Sequence, residues 1–192
     1  MIYILRHGLD DERFIGGWSN VELVEEGIEQ VKRTIEFMKK HQIVFDRIYS
    51  SDIKRAKETA QLVSDAYNIP IELQPCLREL DKGLLTGMPK EQAELLYPDY
   101  MENVGIDVSY PNGESMINLY KRQKEVLEWI LGLEKCLIVT HRGPINMYYF
   151  HLNHESLTNN KKRFGVTHAS LHELNPKQKV LRKIYEPKER MK

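Results

Sequence analysis

The chain has 192 residues, enough for one domain with a substantial hydrophobic core but little more. It contains 28 Lys and Arg residues and 28 Asp and Glu residues, so its formal net charge is zero. Such a chain has no global field that would draw it onto nucleic acid or an anionic membrane. We therefore expect neither as a partner, and any anion-binding site must be local.

The N-terminus and the cysteines bear on where the protein works. The residues MIYIL are followed at once by Arg6 and His7, so we expect no signal peptide. No run approaches the roughly 18 apolar residues of a membrane span. Cys76 and Cys136 lie in separate segments without CxxC spacing, which predicts two buried thiols in a reducing compartment. The expected location is the cytoplasm.

Short apolar runs alternate with amphipathic helical patterns, which predicts an α/β fold. The predicted strands cover residues 2–5, 45–49, 69–73 and 137–140. The predicted helices cover residues 25–41, 52–67 and 114–133. Ser51 or Asp52 is expected to cap the second helix. Residues 167–174 and 179–186 alternate well enough to form a closing hairpin.

Residues 77–108 differ from the rest of the chain. They combine short helical signals with Gly83, Gly87, Pro89 and Pro98 and show no core-strand pattern. This composition predicts a lid inserted into the α/β body, so that residues 1–192 form one domain. The charged tail from Lys188 onward is expected to fray.

Two of the predicted strands are followed by histidine. Arg6, His7 and Gly8 follow the first strand, and His141 follows the strand at 137–140. Residues that follow parallel strands meet at the carboxyl edge of the sheet, where open α/β folds bind ligands. Arg55 lies about one helical turn after another strand end. Guanidinium groups match phosphate and keep their charge, so a phosphate monoester is the natural ligand.

Arg-His-Gly is accompanied by five further motifs in chain order. They are N-x2-L-x3-G-x2-Q at 20–30, S-x3-R-A-x2-T-A at 51–60, E-x3-G at 79–83, Y-P at 97–98 with P-N-G-E-S at 111–115, and T-H-x-G at 140–143. Together they resemble the histidine phosphatase superfamily, in its phosphoglycerate-mutase-like branch. The resemblance implies a three-layer α/β/α sandwich with a mostly parallel central sheet and a small lid.

The resemblance also implies roles for individual residues. His7 would be the nucleophile that accepts the phosphoryl group, and positive neighbours should hold its ring in the neutral, nucleophilic form. Arg6, Arg55 and His141 would hold the phosphate oxygens. Glu79 would protonate the leaving oxygen and then take a proton from water. No metal or other cofactor is implied, because the arginines supply the positive charge.

Some positions leave two interpretations open. Asp81 competes with Glu79 for the role of acid, although the spacing to the following glycine favours Glu79. Gly8 is expected at the phosphate-binding loop. Arg13 is either a solvent-facing charge or an extra anion contact. Arg142, where the family usually has glycine, either points to solvent or reaches the pocket mouth and favours a second negative group.

Further departures concern the loop after the nucleophile and the remaining histidines. Leu9 and Asp10 stand where the family commonly has Glu or Gln followed by Thr or Ser, and Val24 replaces the usual capping Thr. We expect no catalytic role for the remaining histidines, which are His41, His151, His154, His168 and His172.

Three functions fit these features. The first is a phosphomonoester hydrolase acting through phosphohistidine on a small phosphorylated metabolite. The second is a phosphoglycerate mutase, which must keep water from its intermediate. Residues 89–111 contain one lysine and no arginine, which favours the hydrolase over a mutase that grips a carboxylate. The third is a non-catalytic module that binds phosphate or phosphoprotein. The sequence does not predict the oligomeric state of the protein.

Overall fold

The computed structural model describes residues 1–101 and 104–188. Its strands are β1 Ile2–Arg6, β2 Arg47–Ser50, β3 Ile71–Leu73, β4 Cys136–Thr140, β5 Leu171–Asn175 and β6 Val180–Tyr185. Its helices are α1 Glu25–Lys40, α2 Lys54–Tyr67, α3 Lys90–Leu96, α4 Met116–Leu131 and α5 Arg142–Leu152. Every strand and helix predicted from the sequence is therefore present, with its ends moved by no more than a few residues.

One six-stranded sheet organises the fold, in the order β3-β2-β4-β1-β5-β6. The pairs among β3, β2, β4 and β1 are parallel, whereas β5 pairs antiparallel with both β1 and β6. The closing hairpin and the mostly parallel sheet are thus confirmed. The register sets Arg6 opposite Thr140 and Ser50 opposite Val139, so three strands end at one edge.

Helices cover both faces of this sheet, which confirms the three-layer architecture. Successive side chains of a strand point to opposite faces, and β4 shows this alternation. Leu137 and Val139 pack in a cluster with residues of α1 and α2. Cys136 and Ile138 pack in a second cluster with residues of α4 and α5. Because β4 is buried on both faces, its sequence is continuously apolar up to Thr140.

The predicted cap of α2 is wrong. The residue at the capping position is Ile53, which makes no side-chain cap bond. Asp52 instead pairs with Arg78, whose Nε lies 2.7 Å from Oδ1. Ser51 Oγ accepts weakly from the Ile53 N–H at 3.3 Å and lies 2.8 Å from His141 Nε2. Both polar side chains are therefore used for tertiary contacts rather than for the helix end.

The predicted lid packs through its own apolar residues onto the body. Leu80, Leu85 and Ala93 are buried in a cluster with residues of α4 and α5 such as Leu119 and Phe150. Residues 102 and 103 of this segment lie outside the described part of the chain, as do 189–192 of the tail that we expect to fray. Treating 1–192 as one domain with an inserted lid stays a prediction.

The two cysteines have different surroundings. Cys136 is buried in β4 as expected, but Cys76 is exposed because it lies in a single 3-10 turn, Pro75–Leu77, at the surface. Neither is in a disulfide. Across residues 1–101 and 104–188, no helix combines the length and apolar character needed to cross a membrane.

Burial of His172 on β5 makes the fold sensitive to acid. The residue is fully buried, with Nδ1 2.8 Å from the Tyr149 hydroxyl and Nε2 3.0 Å from Ser170 Oγ. Burial, followed by Lys183, lowers the pKa of His172 from 6.5 to about 3. Between these values the unfolded chain binds a proton that the native state does not, so stability is lost as pH falls below 6.5.

We expect His172→Gln to flatten this dependence. In the native protein the residue contributes a slope of about 1.4 kcal/mol per pH unit between the two pKa values, and glutamine removes that contribution. Urea unfolding at intervals from pH 7 to pH 4.5 measures the slope. His41→Gln, at an exposed position, is the control. An equal change of slope in both variants would contradict the assignment.

Candidate active site

The ends of β1, β2 and β4 bring the candidate residues together. The N–H of His7 donates to Thr140 O at 3.0 Å, and the N–H of Ser51 donates to Val139 O at 2.9 Å. His7 and Ser51, which directly follow β1 and β2, therefore each lie beside the end of β4. A cavity of about 190 Å³ opens at this edge, lined also by lid residues and by α5. That volume holds several water-sized groups of roughly 30 Å³ each, which suits a small molecule.

The His7 ring is held in one tautomer. Its Nδ1 lies 2.7 Å from Gly8 O, and because a carbonyl only accepts, Nδ1 carries the proton. Its Nε2 accepts from Arg55 Nε at 3.2 Å, and because a guanidinium only donates, Nε2 carries the lone pair. Burial, followed by Arg55 and His141, holds the pKa of His7 well below 6.5. The ring is therefore neutral at physiological pH, with the tautomer a nucleophile needs.

Arg55 is fixed beside this lone pair. Its side chain is 2% exposed, and it donates from Nη2 to Gly17 O at 2.9 Å and from Nη1 to Ser19 Oγ at 3.3 Å. Its Nε also lies 3.4 Å from Asp10 Oδ2. The predicted convergence of Arg55 on His7 is thus present, and these contacts fix the guanidinium beside the His7 ring.

Arg6 and His168 form the adjoining wall. Arg6 donates from Nη1 to Val166 O at 2.9 Å and from Nη2 to His168 Nε2 at 2.5 Å. The His168 ring lies 5.6 Å from the His7 ring, centroid to centroid, and lines the cavity. Burial lowers the pKa of His168, which keeps it an acceptor for Arg6. We expected no role for His168 from the sequence, but the structure places it inside the site.

His141 lies behind His7 rather than at the cavity surface. The residue is fully buried, and its ring centroid is 5.0 Å from that of His7. Its Nε2 is 2.8 Å from Ser51 Oγ, while Nδ1 has no partner among the described residues. Burial, followed by Arg55 and Arg6, holds its pKa well below 6.5. Direct contact between His141 and phosphate oxygens stays a prediction.

The structure distinguishes Glu79 from Asp81. Glu79 lines the cavity, accepting from the Gly143 N–H at 3.1 Å and from the Leu80 N–H at 2.9 Å. Asp81 accepts from the Gly83 N–H at 2.8 Å and is not part of the cavity wall. Glu79 is therefore the carboxyl group that can reach a ligand, as the spacing favours.

A set of donors holds the Glu79 backbone in place. The Glu79 carbonyl accepts from Arg122 Nη2 at 2.8 Å and from Trp18 Nε1 at 2.7 Å. Arg122 is itself paired with Glu114, whose Oε1 also accepts from the Asp81 N–H at 2.9 Å. The loop that carries Glu79 is thus held by hydrogen bonds on both sides of this residue.

Gly8 has a packing role in the structure, and its place at the phosphate stays a prediction. Its N–H donates to Thr59 Oγ1 at 3.1 Å, and it does not line the cavity. A Cβ at Gly8 would lie 2.4 Å from Gly27 O, and one at Gly27 would lie 2.0 Å from Leu9 O. The next N–H, of Leu9, donates to Gln30 Oε1 at 3.0 Å. These motif residues therefore clamp the nucleophile loop onto α1 and α2.

The two uncertain arginines have different positions. Arg13 does not reach the cavity, because its side chain is 84% exposed and pairs with Asp11, with Nη2 2.6 Å from Oδ2. An anion contact at Arg13 is therefore not supported. Arg142, the first residue of α5, does line the cavity, so its side chain is not merely a solvent-facing charge.

Sequence reasoning also missed seven polar residues of the cavity wall, which are Glu12, Lys82, Lys90, Asn146, Thr158, Asn160 and Lys161. Asn146 follows Arg142 by one helical turn, a spacing that could have indicated it. Lys82 follows Glu79 by three residues within a segment without regular structure. In such a segment, sequence spacing does not determine which way a side chain points. Lys161 belongs to the loop after α5, whose course no sequence pattern predicts.

One group of side chains has the spacing of a metal site. The ligand atoms of His7, Asp10 and His168 lie within 4.8 Å of one another. Arg6 and Arg55 contact the same rings, and their charges oppose a bound cation while favouring an anion. The arrangement therefore suits a phosphate group better than a metal ion.

Comparison with known proteins agrees with this geometry. The sequence profile of the histidine phosphatase superfamily (branch 1) matches residues 2–184. The chain belongs to this superfamily. It is 33% identical over 159 residues to phosphoglycerate mutase-like protein 4 of Arabidopsis thaliana, covering 77% of this chain and 69% of that one.

Two further relatives carry different names. A 2,3-bisphosphoglycerate-dependent phosphoglycerate mutase of Afipia carboxidovorans is 24% identical over 159 residues, which are 76% of this chain and 77% of that one. The structure of a mycobacterial glucosyl-3-phosphoglycerate phosphatase superposes with a TM-score of 0.76 at 22% identity, covering 97% of both chains. The latter likeness shows a shared fold.

The contact between Gly143 and Glu79 gives a test of the acid. A Cβ at Gly143 would lie 2.0 Å from Glu79 Oε1, so Gly143→Ala should displace the carboxyl group. We expect kcat to fall about 100-fold on an alkyl phosphate, because general acid catalysis contributes that much or more. The loss should be far smaller on p-nitrophenyl phosphate, whose leaving oxygen needs no proton.

Gly132→Ala is the matched control, because the nearest atom to a Cβ at Gly132 would be Trp129 O, at 3.4 Å, which leaves room for the methyl group. Glu79→Gln should show the same dependence on the leaving group as Gly143→Ala. If Gly143→Ala slows both substrates equally, with its melting temperature unchanged, the assignment of Glu79 as acid is wrong.

Proposed function

We propose that the protein is a phosphomonoester hydrolase that acts through a phosphohistidine on a small phosphorylated metabolite. The observation that carries this proposal is the His7 ring, whose proton is committed to Gly8 O and whose lone pair lies 3.2 Å from Arg55 Nε. A nucleophile beside a fixed cation is what attack on a phosphate requires. Glu79 in the same cavity supplies the proton that the leaving group needs.

The reaction then has two steps. His7 Nε2 bonds to phosphorus as the phosphorus–oxygen bond to the leaving group breaks, and Glu79, entering protonated, gives its proton to the departing oxygen. Water next bonds to phosphorus while the phosphorus–nitrogen bond breaks, and the Glu79 carboxylate takes the proton of that water. Arg6 and Arg55 face the charge on the transferring group throughout, which is where phosphoryl transfer gains most.

Access of water to this intermediate supports hydrolysis over transfer to a second hydroxyl. The cavity rim includes Glu12, Lys90, Thr158, Asn160 and Lys161, all of them exposed. A mutase must hold its phosphohistidine away from water. Solvent reaches this cavity, so hydrolysis is the reaction that the open site favours.

The cavity wall is more basic than the composition of residues 89–111 suggests. Residues 89–111 contain few basic residues, but this does not make the cavity poor in positive charge. Lys82 and Lys161 lie outside that segment and line the cavity. The proteins similar to this chain include some named as mutases and some named as phosphatases. Mutase activity is therefore the alternative that the assay must separate. A purely binding module would need neither a nucleophilic tautomer nor a carboxyl group beside it.

A screen for phosphate release tests the proposal. Wild-type protein, His7→Ala and the control His154→Ala, at an exposed position, are assayed in EDTA against sugar phosphates, phosphoglycerates, nucleotides and phosphopeptides. We expect release by wild type and the control, and a loss of at least about 1000-fold in His7→Ala, the scale seen when a nucleophile is removed. Quenched reactions should contain acid-labile phosphate on His7.

Two results would contradict hydrolysis. Isomerised phosphoglycerate without free phosphate would identify a mutase. Phosphate binding by calorimetry with neither release nor phosphohistidine would identify a binding module. The cytoplasmic location, and small phosphorylated substrates rather than nucleic acid or membrane as partners, remain part of this proposal.

A further inference from the structure

Apart from Lys90 at its rim, three cations of the cavity wall are not used by the proposed chemistry. They are Lys82, Arg142 and Lys161, and each lines the cavity that contains His7 and Glu79. Arg6 and Arg55 already contact the His7 and His168 rings where the transferred phosphate must sit. The three remaining cations therefore need a different explanation.

Each of the three belongs to a different, anchored segment. Arg142 begins α5, directly before Gly143, whose N–H donates to Glu79. Lys82 lies on the loop that carries Glu79, with its Nζ 5.8 Å from the centre of the Tyr110 ring. Lys161 is tied to α5 because its carbonyl accepts from Asn146 Nδ2 at 3.2 Å. The cations thus converge from three directions beside the acid.

Their charges are not balanced within residues 1–101 and 104–188. The ion pairs found there join other lysines and arginines, and none of the three cations has a carboxylate within 4.0 Å. Burial, followed by Lys161, lowers the pKa of Lys82 to about 8. Cations that disfavour one another's charge gain most from a bound anion.

We propose that Lys82, Arg142 and Lys161 form a second anion subsite, so that the preferred substrate is a phosphomonoester bearing another negative group. This inference deepens the proposed function and depends on it for the place of the first phosphate. The second group is a carboxylate or a further phosphate, both of which pair with lysine and arginine. The subsite lies on the Glu79 side of His7, so it would hold the leaving-group part of the substrate.

Matched phosphonates test the subsite without turnover. We would measure binding of 3-phosphonopropionate, propylphosphonate and propane-1,3-diphosphonate by calorimetry. The first two have the same phosphonate and three carbons, and they differ only in the carboxylate. We expect the carboxylate or the second phosphonate to improve affinity about tenfold, the gain of one charge-assisted hydrogen bond. The better of these two ligands identifies the second anion.

Variants then assign the effect to the three residues. Lys82→Met, Arg142→Met and Lys161→Met should each reduce the preference over propylphosphonate by about threefold or more, since each removes a charged hydrogen bond. Lys177→Met, an exposed lysine of the hairpin turn, is the matched control and should keep the preference. Melting temperatures check that each variant is folded.

Equal affinity of wild type for all three phosphonates would overturn the subsite, as would a preference that survives in all three variants. If no phosphonate binds, the phosphate site and the subsite both fail. A preference lost in the variants, in a protein that releases no phosphate from any ester, would support the subsite and reject hydrolysis. The same preference retained in His7→Ala would show that it does not depend on the nucleophile.

Discussion

The site depends on the contact between the Arg55 guanidinium and His7 Nε2, 3.2 Å apart. Arginine remains charged, so it can only donate, and the imidazole must present its lone pair to it. The same cation opposes protonation of the ring. Together with Gly8 O, this interaction fixes the tautomer of His7, and together with burial it keeps the ring neutral. It also places a positive charge beside the lone pair of Nε2.

The fold is arranged to maintain that contact. Arg55 lies in the first turn of α2, which approaches the sheet closely because Ala56 and Ala60 are small and fully buried. Thr59, on the same face, accepts from the Gly8 N–H and donates to Arg55 O at 2.8 Å. Helix α2, which carries Arg55, is therefore hydrogen-bonded directly to the loop that carries His7.

The sequence predicted those parts of the site whose positions follow from strand ends and motif spacing. His7, Arg55, Glu79 and the sheet around them fall in this group, because a residue after a parallel strand has a defined place. Lys161 and His168 do not, since they lie on irregular segments between α5 and β5. The cap of α2 failed for another reason, as Ser51 and Asp52 found tertiary partners that a local rule does not consider.

Asp10 shows how a site built for an anion remains stable without one. Buried cations need a counter-charge, and Asp10 Oδ2 lies 3.4 Å from Arg55 Nε while Oδ1 lies 3.7 Å from His168 Nε2. Burial would raise the pKa of Asp10, but the neighbouring His168 ring and the charge of Arg55 lower it overall, so the carboxylate is ionised. A phosphate that binds must then share Arg55 with this residue. The family commonly has Thr or Ser at this position, so Asp10 adds a negative charge beside Arg55 that the usual residue does not carry.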